Sequence, residues 1–235
     1  MRTAAAVAAF SLAGCLHGSS HAEGWTVRGD GQKTTEVREV PDFDAVELLG
    51  AVDATVKVGP ARSVAVVIDA NLQPHVLTSV EDGRLVVRTE GDLDWRGEGR
   101  VEIALPALRA LRAAGSGDAV IEGGAGGDLA LSTSGSGDLR WRGEARRLVV
   151  STSGSGDLFL SGRVEASTSG SGDLRARDLS ARDASIQTSG SGDAEVTLAG
   201  GSLSAASSGS GDVSWWGEGS VVAASVAGSG KIRRR

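Results

Sequence analysis

The sequence predicts an all-β chain wound as a parallel solenoid, a β-helix with coils of about 19 residues. Three observations predict it. A Gly-Ser-Gly turn recurs seven times, apolar residues alternate with polar ones on both sides of each turn, and no segment between turns has room for a helical crossover.

Gly-Ser-Gly-Asp stands at 115–118, 135–138, 154–157, 170–173, 190–193 and 209–212, and a Gly-Ser-Gly-Lys variant at 228–231. Successive copies are 20, 19, 16, 20, 19 and 19 residues apart. Self-similarity at this period marks an array in which each repeat is one coil. Six residues before the first glycine stand Leu129, Leu148, Val164, Ala184, Leu203 and Val222. Four after it stand Leu139, Leu158, Leu174, Ala194, Val213 and Ile232. Even offsets are apolar or small, and odd offsets are mostly Ser, Arg, Glu or Asp. A period of two means strands with one buried face. On this parity Trp141 and Trp215 point inward, as do Ala224 and Val226. The turn glycines share the inward parity, which suggests that a side chain inside the bend would collide with its neighbours. A looser second turn follows each pair of strands, as at Leu198-Ala199-Gly200-Gly201. Parallel strands otherwise need a crossover of a dozen or more residues, so stacked coils are the economical solution.

Composition agrees. Glycine is high at 35 residues, aromatics are 3% and tyrosine is absent, so the core must be a thin layer of small aliphatics rather than packed rings. Residues 113–235 form the repeat array. Residues 36–112 read as less regular β structure that starts and caps it, with strand-like runs at Val46–Leu49, Thr55–Val58, Val64–Ile68, Leu85–Arg88 and Val101–Leu105. Glu81-Asp82-Gly83 reads as a hairpin turn.

Residues 1–14 have the layout of a signal peptide: Arg2, an apolar stretch from Ala4 to Leu12, then small residues. The stretch is shorter than the ~20 apolar residues that span a bilayer. Leu12-Ala13-Gly14-Cys15 matches a bacterial lipobox, which would lipidate Cys15 and anchor the exported chain to a membrane, at the outer membrane or cell surface. Cys15 is the single cysteine, so no internal disulfide can form. The alternative is ordinary cleavage after Ala22, giving a secreted or periplasmic protein. Residues 15–35 read as a polar, flexible tether.

Val40-Pro41-Asp42-Phe43-Asp44-Ala45-Val46-Glu47, then Asp82-Gly83-Arg84-Leu85-Val86-Val87 with Ile103-Ala104-Leu105-Pro106-Ala107-Leu108, then the Ser-Gly-Ser-Gly-Asp series occur in that order. The chain thereby resembles the GIN-domain family, the autotransporter-adhesin head domain, over about residues 36–232. The resemblance implies a right-handed parallel β-helix in a bacterial envelope protein.

Two surface features are candidates for function. Asp118, Asp138, Asp157, Asp173, Asp193 and Asp212 share one outward offset. Carboxylates ~4.8 Å apart repel by roughly 1 kcal/mol per pair in water. A hard cation such as Ca²⁺ between coils would relieve that repulsion; the bland alternative is that these residues accept backbone N–H bonds in the turn. Trp216 and Phe159 have outward parity and could stack on a sugar. The net charge of −6 leaves no basic stripe for nucleic acid. His17 and His21 lie in the tether and His75 stands alone, so neither a His-based triad nor a zinc cluster assembles. One carboxylate per coil looks architectural rather than catalytic. The sequence therefore points to a non-enzymatic envelope module presenting a rigid face to glycan or to another envelope protein. A polysaccharide-processing enzyme on the same fold and a cation-stabilised scaffold are the alternatives.

Overall fold

The computed structural model describes residues 26–235 apart from 96–98, 125–126, 146, 162–164 and 182–183. Among the described residues the chain is nearly all-β: 21 strands and one short 3-10 helix, Ala70–His75, with 19 of the strands in a single mixed sheet.

Alternation of apolar and polar residues sorts the repeats into two ranks of strands. The first rank holds Ala110–Ala113, Asp128–Thr133, Arg147–Thr152, Glu165–Gly170 and Ala184–Gly190, then the later parts of Ala194–Gly209 and Val213–Val226. Each member pairs in parallel with the next. Leu111 is level with Leu131, Leu131 with Val150, Val150 with Ala166, Ala166 with Ile186, and Ile186 with Ala205. The second rank holds Ala119–Glu122, Leu139–Arg142, Leu158–Ser161 and Leu174–Ala181, the opening parts of the same two long strands, and Ile232–Arg234. Here Ile121 is level with Trp141, Trp141 with Leu160, Leu158 with Leu174, Leu174 with Ala194, and Ala194 with Val213. Leu129, Leu131, Leu139, Trp141, Leu148, Val150, Leu158, Leu160 and Trp215 are buried, so the inward parity holds through both ranks. It fails in the last layer, where Val222 and Val226 are 66% and 44% exposed. That part of Val213–Val226 pairs only with the layer behind it, and among the described residues no strand lies on its other side.

The bend between the ranks explains its own sequence. A Cβ added to Gly135 would stand 1.7 Å from the carbonyl oxygen of Gly115, and one on Gly137 would stand 2.1 Å from that of Gly117. Gly154 and Gly156 repeat this against Gly135 and Gly137 at 1.9 and 2.0 Å. The glycines are therefore required by collision with neighbours, as expected, and the neighbour met is the backbone of the preceding layer. They let backbone rest on the backbone of the preceding layer, close enough for the Ser136 N–H to reach the Gly115 carbonyl at 3.0 Å.

The N-terminal region holds a further layer. Ala45–Leu49 pairs in parallel with Ala110–Ala113, and Asp53–Val58 with Ala119–Glu122. Gly50-Ala51-Val52-Asp53 joins them and stands where later layers have Gly-Ser-Gly-Asp. Behind this layer lie Arg84–Thr89 and Arg100–Leu105, also parallel to it. Antiparallel pairs then close that end: Ser63–Asp69 bonds both Arg100–Leu105 and Lys33–Val37, and Val76–Glu81 bonds Arg84–Thr89. The Glu81-Asp82-Gly83 turn is a hairpin as expected, with φ of 49° at Asp82 and 73° at Gly83.

Two strands lie within or extend into the 26–35 part of the expected tether. Thr26–Arg28 pairs with Asp92–Asp94, and Lys33–Val37 belongs to the main sheet. Lys33–Val37 is exposed along its whole length, so it is held by ladder hydrogen bonds and shows no apolar alternation. Cys15 and the export segment lie outside the described residues. Among the described residues no helix is long and apolar enough to cross a membrane.

Candidate functional site

The aspartate rank ties each layer to the next. The Asp138 N–H donates to Oδ1 of Asp118 at 2.8 Å. Asp157 donates to Asp138 at 3.0 Å, Asp173 to Asp157 at 3.0 Å, Asp193 to Asp173 at 2.9 Å and Asp212 to Asp193 at 2.8 Å. Asp53 accepts from the Asp118 N–H at 2.8 Å, so the rank begins one layer earlier than the repeats show. It ends where the Lys231 N–H donates to Asp212.

Guanidinium groups take the second carboxylate oxygens. Arg140 pairs with Asp138 at 3.0 Å and Asp118 at 3.7 Å. Arg175 bridges Asp157 and Asp173, and Arg233 pairs with Asp212. The repulsion expected along the rank is thus countered twice, by N–H dipoles and by cations. At Asp212 burial alone would raise the carboxyl, but the Lys231 N–H and the Arg233 guanidinium outweigh it and hold it below its ordinary value. Burial likewise works to lower Arg175, and its bond to Asp157 together with the surrounding carboxylates raises it above the usual guanidinium value. Among the described residues no three His, Cys, Asp or Glu side chains are grouped to hold a metal ion.

Two residues past each aspartate the chain is in the second rank, and its outward side chains line an open groove of about 870 Å³. Phe159 forms part of the floor. The guanidinium carbons of Arg140 and Arg175 lie 4.6 and 5.3 Å from its ring centroid. Arg177 lies 4.3 Å from the ring centroid of Trp216 and pairs with Glu195 at 2.8 Å. Both candidate stacking residues therefore face outward and are half-buried, but each already carries a guanidinium on its ring. Residue-by-residue reading missed these arginines. The signal was present in Asp138-Leu139-Arg140 and Asp173-Leu174-Arg175: acid and base two residues apart in a strand lie on one face.

The family model described as "Putative auto-transporter adhesin, head GIN domain" matches residues 42–219. The chain belongs to this family. Its domain accounts for every layer from the first bend to the last long strand. A solved structure named as a putative adhesin from Bacteroides fragilis is 19% identical, with a TM-score of 0.81 over 89% of this chain and 100% of that one. A "putative lipid binding protein" from Parabacteroides distasonis is 24% identical, with a TM-score of 0.73 over 90% of this chain and 100% of its own. An adhesin-named structure from Parabacteroides merdae is 22% identical, with a TM-score of 0.67 over 89% and 99%. At these identities the likeness is one of fold. A search of curated proteins found no match. Membership in an adhesin-head family makes this a surface or exported, adhesin-like domain.

Proposed function

We propose that the chain is a non-enzymatic surface module whose layers wind as a right-handed parallel β-helix and whose second-rank face binds extended glycan or protein. The observation that carries the reading is the groove itself. It runs across successive layers, is lined by side chains at repeated outward positions, and combines guanidinium groups with the half-buried Phe159 ring, with Trp216 beside it against Arg177. A face that repeats at ~4.8 Å presents many weak contacts in register, which suits a polymeric ligand. The aspartate rank serves as scaffold, since its oxygens accept from the next layer and from arginine. Lipidation at Cys15 would place this face at the outer membrane or cell surface; Cys15→Ser should release the protein from the membrane fraction.

The test is retention of the full-length chain on immobilised polysaccharides, neutral and charged, together with an assay for new reducing ends. The expected result is retention by at least one polymer, lost in Trp216→Ala, with no cleavage. Cleavage would favour the polysaccharide-processing alternative, and no retention on any polymer would contradict the glycan reading.

A further inference from the structure

We infer that the groove selects a linear anionic polysaccharide, reading its carboxylate or sulfate groups through Arg142 and Arg177. This rests on the binding-module reading and narrows it.

The chain is acidic overall, with a net charge of −6, yet four arginines and only two glutamates line this groove. The four cations are not equivalent. Arg140 and Arg175 are each clamped by two aspartates of the bend and lie over Phe159, so they build the wall. Arg177 is oriented by Trp216 and by a single carboxylate, that of Glu195. Arg142 is exposed in the same groove and makes no ion pair among the described residues. A guanidinium has five N–H donors in a fixed fork that matches a carboxylate or sulfate. Arg142 keeps that fork free and Arg177 keeps part of it.

Position separates the two forks. Arg142 and Arg177 both stand seven residues after the first glycine of their own bend, at Gly135 and Gly170. Arg177 leans forward to Glu195 of the next layer and to Trp216 of the layer after, so its fork lies farther along the groove from Arg142 than the two strands themselves. Trp216, against which Arg177 lies, would bound the far end.

The experiment compares binding of the full-length chain to hyaluronan, dextran sulfate and neutral dextran, for the native protein and for R142A, R177A and R112A. Arg112 lies on the first-rank face, paired with Glu47, and serves as the control for diffuse charge. The expected result is binding to hyaluronan or dextran sulfate well above dextran, weakened about tenfold by R142A or R177A and unchanged by R112A. R142K should recover only part of the loss, because an ammonium cannot fork. Whichever charged polymer binds assigns carboxylate or sulfate as the group read. Equal loss in R112A, or no binding to either charged polymer, overturns the inference. Dextran bound as tightly as the charged polymers, and lost in Trp216→Ala, overturns it while leaving the glycan-binding module standing. Silence on all three polymers contradicts both.

Discussion

The first and last layers of the aspartate rank depart from Gly-Ser-Gly-Asp in opposite ways. The first, Gly50-Ala51-Val52-Asp53, keeps the aspartate and lacks the second glycine. The last, Gly228-Ser229-Gly230-Lys231, keeps both glycines and lacks the aspartate. The difference separates two jobs that every middle layer performs together. The glycines look back: a Cβ on Gly230 would meet the Gly211 carbonyl at 2.1 Å. Behind Val52 there is no Gly-Ser-Gly bend, so a buried side chain fits there. Gly50 remains glycine because its φ is +148° and a Cβ would meet Thr89. The aspartates look forward, each accepting the N–H of the next layer. Among the described residues Lys231 has no layer ahead of it, and a cation closing a row of carboxylates is electrostatically favourable.

The sharpest break in this comparison is a methyl group in a middle layer. Gly137→Ala should lower the unfolding free energy by about 3 kcal/mol, the upper part of the overpacking range, because the obstacle is backbone rather than a movable side chain. Gly59→Ala, where a Cβ meets nothing within 4 Å, should leave stability unchanged or raise it by about 0.5 kcal/mol. Chemical denaturation of both variants checks the pair; equal effects would remove the argument for stacked glycines. Next in size is the forward bond. Asp138→Ala should cost about 2 kcal/mol by stranding the Asp157 N–H and releasing Arg140, and Asp138→Asn, which keeps Oδ1, should cost less than half of that.

Acid titration sharpens the end of the rank. Asp212 is held below its ordinary carboxyl value in the fold, so its contribution is fully present at neutral pH. It is lost only as pH falls below the usual carboxylate range and through the folded value. Asp212→Asn should therefore flatten the acid limb of a melting-temperature profile and leave the neutral limb parallel to that of the native chain. Smallest of all, Lys231→Ala should change stability by no more than about 0.5 kcal/mol, since its side chain supports no following layer.

The same comparison shows what a sequence can reveal. Alternation around each Gly-Ser-Gly was legible because inward residues such as Leu131, Trp141 and Leu158 must be apolar wherever layers stack. Asp53 was not legible: 65 residues separate it from Asp118, filled by strands that loop out, cap the array and return. The strand Lys33–Val37 escaped notice because backbone pairing with Ser63–Asp69 holds it without apolar contacts. Phe159 and Trp216 were legible as outward-facing rings from parity alone. The Arg177 partner of Trp216 was not, because the two are far apart in the chain and meet only once the layers are in register.

The most direct test of the forward-looking aspartate is amide hydrogen exchange at single-residue resolution in Asp138→Ala. The Asp157 N–H should lose protection selectively, and the Asp138 position, which donates backward to Asp118, should keep it. Protection unchanged at 157, or lost at 138 instead, would contradict the account.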